Sequence, residues 1–493
     1  MAGGRPLRGG GWWARLARGP LGHLAPPGGK LARLGWIVIL AATLWLAYGR
    51  PYLGYDALFS LVWGSDLAQG RTPVFDRPGY PTPHPLANVV AGLLAPLGEG
   101  ALVALELLTL TAFAVLGWAT YLLGSRIFWA PVGIVAAAIV LTRPPLVKLA
   151  LLGSLDIPFL ALVVGAAAIE SRGRRGAVPA LLLLGLAGLL RPEGWLLSTG
   201  YALYLVLGSD RRGPTIALAS AAVAAPLVWT GFDLLVTGDP LHSFHGARDF
   251  TERTETGGSL TSTLIAAPKN LAGILSPPVF MGCALGLMVA ARRFRNRLAL
   301  PLAFGALGLA AFLVLGFAGF PLYTRYLLVP AAMLSLFFGV ALLARRAWSP
   351  EGGPGWVATM VTVGAAALLI ASVPGDGKRL AFLRERAAEV RATQEDLERL
   401  SAGAALGALA RGCRPLRIDD RRYWPLLALL LDRPPNTIVA DPPAPPARGL
   451  VLRLRQSDPQ KDQFRERPKP PPSGFRPIFA NRSWTMYERC ERP

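Results

Sequence analysis

The chain has 493 residues, 52% of them hydrophobic and 16% charged. Soluble domains carry roughly 25% charge, so this deficit, with a mean hydropathy of +0.41, excludes a disordered chain and argues against a soluble enzyme. The net charge of +21 does not point to nucleic acid, because many arginines stand in short runs between apolar blocks instead of forming one basic face. Lysine supplies only six of the 51 cations, and the excess of Arg, Ala, Gly, Leu and Pro reads as the coding bias of a GC-rich bacterial genome.

In chain order, apolar helices are expected at about 34–49, 101–123, 129–142, 156–170, 177–190, 194–207, 215–236, 277–291, 299–319, 326–344 and 356–373. This predicts an all-α polytopic membrane protein with about eleven transmembrane helices, several of only about 14 residues against the ~20 of a clean span. Segment 1–33 carries Arg5, Arg8, Arg15, Arg18, Lys30 and Arg33. Every second later connection is short and basic: Arg126; Arg172, Arg174 and Arg175; Arg211 and Arg212; Arg292, Arg293, Arg295 and Arg297; Arg345 and Arg346. Short basic loops stay cytoplasmic, so the N-terminus is expected inside the inner (plasma) membrane and, with an odd number of spans, the C-terminus outside. Residues 12–33, with Trp12, Trp13, Arg15, Leu16 and Arg18, suit either a surface-bound amphipathic stretch or a disordered positive tail. The first span resembles a signal peptide, but Tyr48-Gly-Arg-Pro51 offers no small-residue cleavage site, so it is expected to stay.

The alternate connections 50–100 and 237–276 are long, rich in Pro, Gly, Asp, His and aromatics, and expected outside. Just past the first span comes Tyr55-Asp56, opening a helix with Leu58, Leu61, Val62 and Leu67 towards one face, ended by Gly70. It reads as an interfacial helix. A carboxylate at that boundary is partly desolvated and so more basic, which suits a general base; an N-cap is the plainer role for Asp56. Asp66 follows on the same helix. His84 lies in the Pro-rich turn Tyr80–Leu86, before a surface piece at Ala87–Pro96.

Further candidates recur at the same side of the bundle. Asp156 opens a span and would also serve as an N-cap. Arg143 and Lys148 could meet a phosphate or anchor the chain at the surface. Arg191 and Glu193 stand between two short helices, where charges pair or line a cavity. Glu106 and Asp233 are weaker candidates inside spans. Asp239, His242 and His245 form a nonspecific metal-capable set, for which ordinary loop histidines are the plainer reading. In Tyr323-Thr-Arg325-Tyr326, a bidentate donor at an outer mouth is placed to meet a lipid-linked phosphate or to anchor the interface.

Beyond Pro374 the composition changes. Residues 375–493 are expected to form a small α/β extracytoplasmic domain: a charged helix at 380–411, then strand-like runs at 437–440 and 450–454 between Pro-rich linkers (442–446 and 468–472). The tail carries 23 Lys and Arg against 15 Asp and Glu, weakly favouring the inside, but the short loops decide orientation. A Cys413–Cys490 bridge would close this domain in an oxidising compartment; two free thiols are the alternative. Cys283 reads as a small core residue. The sequence has no Walker loop, G-x-G-x-x-G before a helix, H-E-x-x-H or CxxC.

A basic N-terminus, one span, an outer loop opening with Asp56, a helix ending at Gly70-Arg-Thr-Pro73, a Pro-rich turn with Pro85-Leu86 and a surface helix together resemble the GT-C superfamily of membrane glycosyltransferases. The resemblance covers residues 30–345 and rests on arrangement. It implies a TM domain at 34–374 that moves a sugar, mannose or a related one, from a polyprenyl-phosphate donor to an envelope glycan, lipid or protein acceptor, with inversion. By position, Asp56 is the implied base, with Asp66 the runner-up. By position the resemblance also implies Asp156, Arg191 and Arg325 as substrate contacts; Glu193, Tyr323, His84, His242 and His245 join them as candidates from their own placement beside these residues or in the outer loops. Many relatives carry two adjacent acids where this chain has Asp56-Ala57, so no cofactor is required with certainty and a divalent metal stays open. The rival readings are a transporter or lipid flippase, which predicts inverted repeats and mid-bilayer polar groups, and an inactive scaffold presenting the tail.

Overall fold

The computed structural model describes residues 29–75, 80–173, 176–207, 216, 219–254, 260–347, 355–405, 407, 412–440, 448–456 and 471–490. The readings of residues 12–18, of Arg5 and Arg8, of Arg174, Arg175, Arg211 and Arg212, and of most of the Pro-rich linkers lie outside the described residues.

A helix forms at each apolar stretch. The first part of the chain gives α1 (Lys30–Tyr48), α2 (Tyr55–Ala68), α3 (Pro85–Leu94), α4 (Gly100–Ile127), α5 (Ala130–Thr142), α6 (Pro144–Leu151), α7 (Asp156–Glu170), α8 (Ala177–Leu190) and α9 (Glu193–Leu207). It continues with α10 (Ala224–Thr237), α11 (His242–Thr254), α12 (Leu260–Leu275), α13 (Pro277–Arg293), α14 (Ala299–Phe317), α15 (Leu328–Leu342) and α16 (Gly355–Leu400). Among the described residues, six segments are long and apolar enough to cross a membrane: Leu31–Tyr48, Gly100–Ile127, Ser220–Thr237, Ala299–Phe317, Thr324–Leu342 and Gly355–Gly403. Two pairs bent by 61° (Ala130–Thr142 with Pro144–Leu151) and 104° (Thr261–Leu275 with Pro277–Arg293) raise that number to at most eight. The expected eleven spans are not reached, because α7, α8 and α9 hold 15, 14 and 15 residues. At 1.5 Å per residue they reach about 21–23 Å, short of a ~30 Å hydrocarbon core.

The helices pack tightly where glycine lets backbones meet. A Cβ at Gly286 of α13 would lie 1.7 Å from the Phe337 carbonyl oxygen of α15, so that contact exists only because the side chain is absent. The basic connections gather at one end of the bundle, where Arg126 donates to the Ala168 carbonyl and Arg297 Nη1 to the Ile127 carbonyl at 3.2 Å.

α16 was expected to end near Pro374 but runs 46 residues through it, about 69 Å. Two residues past the proline, Asp376 is buried and takes Arg143 Nη1 at 2.7 Å; the same nitrogen donates to the Leu275 carbonyl (3.0 Å) and Ser276 Oγ (3.1 Å). Arg143 therefore fastens α16 to the break between α12 and α13. Further on, Arg391 and Gln394 of α16 donate to the carbonyls of Pro51 (3.4 Å) and Leu53 (2.9 Å), and Arg50 Nε donates to Glu106 Oε2 at 2.5 Å. Glu106 thus works in an ion pair that ties residue 50 to α4.

The long helix carries the C-terminal sheet to this end. Trp484 Nε1 donates to the Thr393 carbonyl at 2.9 Å, and Ser483 Oγ to Asp396 Oδ2 at 2.6 Å. The strands are β1 (Leu416–Ile418), β2 (Ile438–Ala440), β3 (Gly449–Leu454), β4 (Arg476–Ala480) and β5 (Trp484–Arg489), in the order β2-β1-β3-β5-β4. β1 runs parallel to β2 and β3, while β5 is antiparallel to β3 and β4. Cys413 and Cys490 are bonded, with Cα atoms 5.7 Å apart, and Cys283 is a buried free thiol. α17 (Trp424–Leu430) packs on α2, where Phe59 meets Trp424 at 5.5 Å and Tyr80 at 5.0 Å between ring centroids. Consequently α2 is buried from Ala57 to Gly64, not lying at an interface with one apolar face; α3 and α17 cover it, and Leu67 remains 38% exposed.

Candidate active site

Backbone pairing builds the site's floor. The amides of Tyr52 and Gly54 donate to the carbonyls of Leu151 (2.8 Å) and Leu152 (2.9 Å), which locks the strand leading into α2 against the end of α6. Asp56, the second residue of α2, then stands near Asp156, the first residue of α7. Asp56 does not cap its helix: the N-cap is Gly54, and no hydrogen bond fixes the carboxylate among the described residues. Its side chain reaches solvent, yet desolvation by surrounding protein is the largest influence on it. Both are true of a group lining a recess.

Asp156 is not a cap either. It is buried, accepts from Ser154 Oγ at 2.6 Å, and takes Arg191 Nη1 on its other oxygen. Arg191 follows the last residue of α8, where Pro192 stops the helix. Its Nε and Nη2 donate to Glu193 Oε1 at 3.3 and 3.2 Å. One guanidinium is thus shared by two carboxylates, which is how a buried charge is kept at tolerable cost.

Arg191 and Arg325 both lie over Tyr326, at 5.4 and 5.8 Å from the ring centroid, and Arg325 also lies 4.7 Å from Tyr323. The Arg325 Nε is buried without a hydrogen-bond partner. His84, preceding α3, packs its ring edge-on against Trp229 at 5.7 Å, and its Nδ1 is buried without a partner. One helical turn on, Asn88 is wholly buried with neither its amide oxygen nor its nitrogen bonded among the described residues. Buried polar atoms are nearly always satisfied, so the unpartnered Arg325 Nε and His84 Nδ1, close enough for Arg325 to act on the His84 ring, are unusual.

The electrostatics agree with the geometry. Burial raises the Asp56 carboxyl above its ordinary value of 3.8, Arg325 and Arg191 oppose that rise, and Asp156 adds to it. His84 is pushed down to about 3, first by burial and then by Arg191 and Arg325, so it is neutral at physiological pH. Burial also raises the Tyr55 hydroxyl, partly offset by Arg421 of the tail.

Asp56, His84, Asp156, Arg191 and Arg325 are therefore electrostatic neighbours, with Glu193 held to Arg191 and Tyr323 under Arg325. Asp66 does not join them. It lies ten residues along α2, about 15 Å away, tied to Arg71 at 2.9 Å, and Arg71 in turn reaches Asp432 at 3.2 Å. His245 pairs with Asp239 at 2.7 Å on the exposed start of α11, and His242 continues that turn. Asp233 accepts from the Ser243 amide (2.9 Å) and hydroxyl (3.0 Å) and so holds the N-terminus of α11.

The sequence reading missed Asn88, the Tyr326 stack and the approach of Arg421. Only the i, i+4 spacing of His84 and Asn88 signalled the first. No set of three metal-capable side chains comes together around Asp56 among the described residues. Among the described residues, the one group of three metal-capable side chains is Cys413, Glu488 and Cys490, two of which are spent in the disulfide. At the recess Asp156 is committed to Arg191 and Ser154.

No protein-family model matches the sequence, and no curated protein matches it either. Solved structures do. ArnT from Cupriavidus metallidurans, bound to undecaprenyl phosphate, superposes with a TM-score of 0.54 and 14% identity over 93% of this chain and 98% of that one. The Archaeoglobus fulgidus oligosaccharyltransferase, in complex with Zn and sulfate, gives 0.51 and 15% identity over 82% of this chain and 62% of that one. At such identities the likeness is one of fold alone. The chain shares the fold of these two proteins.

Proposed function

We propose that the protein is an integral-membrane glycosyltransferase that moves a sugar, mannose or a related one, from a polyprenyl-phosphate donor to an acceptor hydroxyl in cell-envelope assembly. Asp56 takes the acceptor proton as the acceptor oxygen bonds to the sugar's anomeric carbon. The bond from that carbon to the phosphate oxygen breaks on the opposite face, and the polyprenyl phosphate leaves with the electron pair. A single in-line attack of this kind inverts the anomeric centre. Negative charge grows on the leaving phosphate, and Arg325, whose Nε has no protein partner, is the cation available to meet it. Arg191 is held by Asp156 and Glu193, so it positions the site's floor and Tyr326. His84 is neutral and suits a sugar hydroxyl. No step is routed through a metal.

One observation carries this reading: a carboxylate made more basic by burial, and without a hydrogen bond among the described residues, lies within the electrostatic reach of a cation whose Nε is unsatisfied. The site's end of the bundle lies outside in this proposal, residues 1–33 inside and residues 375–493 outside. A disulfide in the tail favours that sense, because such bonds persist in oxidising compartments, and the basic connections at the opposite end favour it too. The test is purified full-length protein in detergent with radiolabelled polyprenyl-phosphate-mannose and an envelope extract as acceptor source. Release of polyprenyl phosphate, abolished by Asp56→Asn, supports the reading. Movement of labelled lipid across vesicles without cleavage would favour the transporter alternative.

A further inference from the structure

The C-terminal sheet holds a cavity of about 340 Å³ lined by Arg414, Pro415, Leu416, Arg433, Thr437, Ile438 and Arg448. It opens where the three parallel strands begin. Leu416 of β1 is in register with Ile438 of β2 and with Leu450 of β3, so Arg414 and Arg448 each stand two residues before a paired position. Gly449 (φ +118°) makes that approach available: a Cβ there would lie 2.3 Å from the Pro415 carbonyl oxygen, and the Leu450 amide donates to the same oxygen at 2.9 Å. Neighbouring strands lie about 4.8 Å apart, and like charges set side by side on them repel. Arg433, half-buried, comes from beyond α17.

Among the described residues, none of the three guanidiniums has an ion pair or side-chain hydrogen bond, while the described acids of the tail nearby are engaged elsewhere. Asp432 turns to Arg71 at 3.2 Å, Asp419 takes Arg453, Asp420 takes the Arg422 amide at 2.9 Å, and Glu488 takes Arg476 at 3.1 Å. Three arginines lining one cavity, with no counter-charge among the described residues beside them, mark a place where an anion lowers the energy of the fold, and the planar fork of arginine matches the oxygens of a phosphate.

We propose that this cavity is a phosphate-binding site, separate from the recess around Asp56 and independent of the transferase reading. Its volume accommodates a phosphate with a small attached group, either a soluble phosphomonoester or the headgroup of a phospholipid. The assay is equilibrium binding of radiolabelled inorganic phosphate to the full-length protein in a nonionic detergent, at fixed ionic strength with chloride as the balancing anion. Arg433→Gln and Arg448→Gln should each weaken binding about tenfold, the scale of one charge-assisted hydrogen bond, whereas Arg325→Gln, in the other recess, should leave this component in place. Arg414→Gln and Arg448→Gln alter exposed side chains, so they carry the test should Arg433→Gln fail to fold. Arg433→Lys should fall between wild type and Arg433→Gln. Competition by dihexanoyl phosphatidic acid but not by glucose 1-phosphate would identify a lipid headgroup as the occupant, and the reverse a soluble phosphate. Binding that is absent, or that disappears in Arg325→Gln while surviving all three cavity variants, would overturn the proposal.

Discussion

Replacing Arg143 with Met asks whether this cation is a fastener or a ligand for phosphate. Its side chain is 4% exposed and that of Asp376 8%, and one nitrogen serves three acceptors on two elements. Methionine keeps the stem and removes the charge. The variant then leaves Asp376 buried and unpaired, at a loss of about 3–5 kcal/mol, and leaves the Leu275 carbonyl and Ser276 hydroxyl short of a donor. Removing both partners, as Arg143→Met with Asp376→Leu, should recover most of the loss, since an apolar pair needs no compensation. Tryptophan-fluorescence unfolding of wild type, both single variants and the double variant in one detergent gives the cycle. If Arg143→Met unfolds like wild type while donor binding falls, the fastener argument is wrong and Arg143 belongs to the substrate.

The tail disulfide closes a separation of 77 residues, worth roughly 4 kcal/mol in a chain-entropy account; Cys413→Ser with Cys490→Ser should make the tail markedly easier to proteolyse, and non-reducing peptide maps of wild type should recover the linked pair. Arg325→Gln should lower turnover by about 10²-fold, in line with the loss of one preorganised donor to a developing anion, with little change in melting temperature. Burial raises the Asp56 carboxyl in the fold, so its protonated form is favoured there and its ionisation disfavours folding as pH rises above the ordinary carboxylate value. Two results follow: activity should fall as pH drops through a pKa higher than that of a free carboxylate, and Asp56→Asn should melt slightly higher than wild type at neutral pH.

Much of this molecule was legible in the sequence because apolar runs and arginine placement are local. Asp56, Asp156, Arg191 and Arg325 each fall in a connection on the same side of an alternating pattern, and that alternation alone predicted a shared end. Their pairing was not legible. Nothing local links Asp156 to Arg191 across 35 residues; the packing of α7 on α8 does so. Asp66 resembled Asp56 in the sequence, and only the return of Arg71 from the next turn and the arrival of Asp432 from the tail distinguish them. Pro374 signalled a helix end, but the buried partner at Asp376 holds the next turn in place, so the helix continues. In the tail, β2 and β3 have apolar runs that can be read, whereas β1 is three residues beside Arg and Pro and becomes a strand only between its two neighbours.

Asp56→Asn in a single-turnover assay decides whether this carboxylate is the base. Purified full-length protein, loaded with labelled polyprenyl-phosphate-mannose and mixed with acceptor, is followed for release of polyprenyl phosphate, with donor binding measured alongside and Asp66→Asn as control. The transfer rate should drop by roughly 10²–10⁴ with donor binding retained, and Asp66→Asn should transfer at near the wild-type rate. Wild-type transfer by Asp56→Asn would remove this carboxylate from the chemistry, and collapse in Asp66→Asn alone would move the base to the other end of α2.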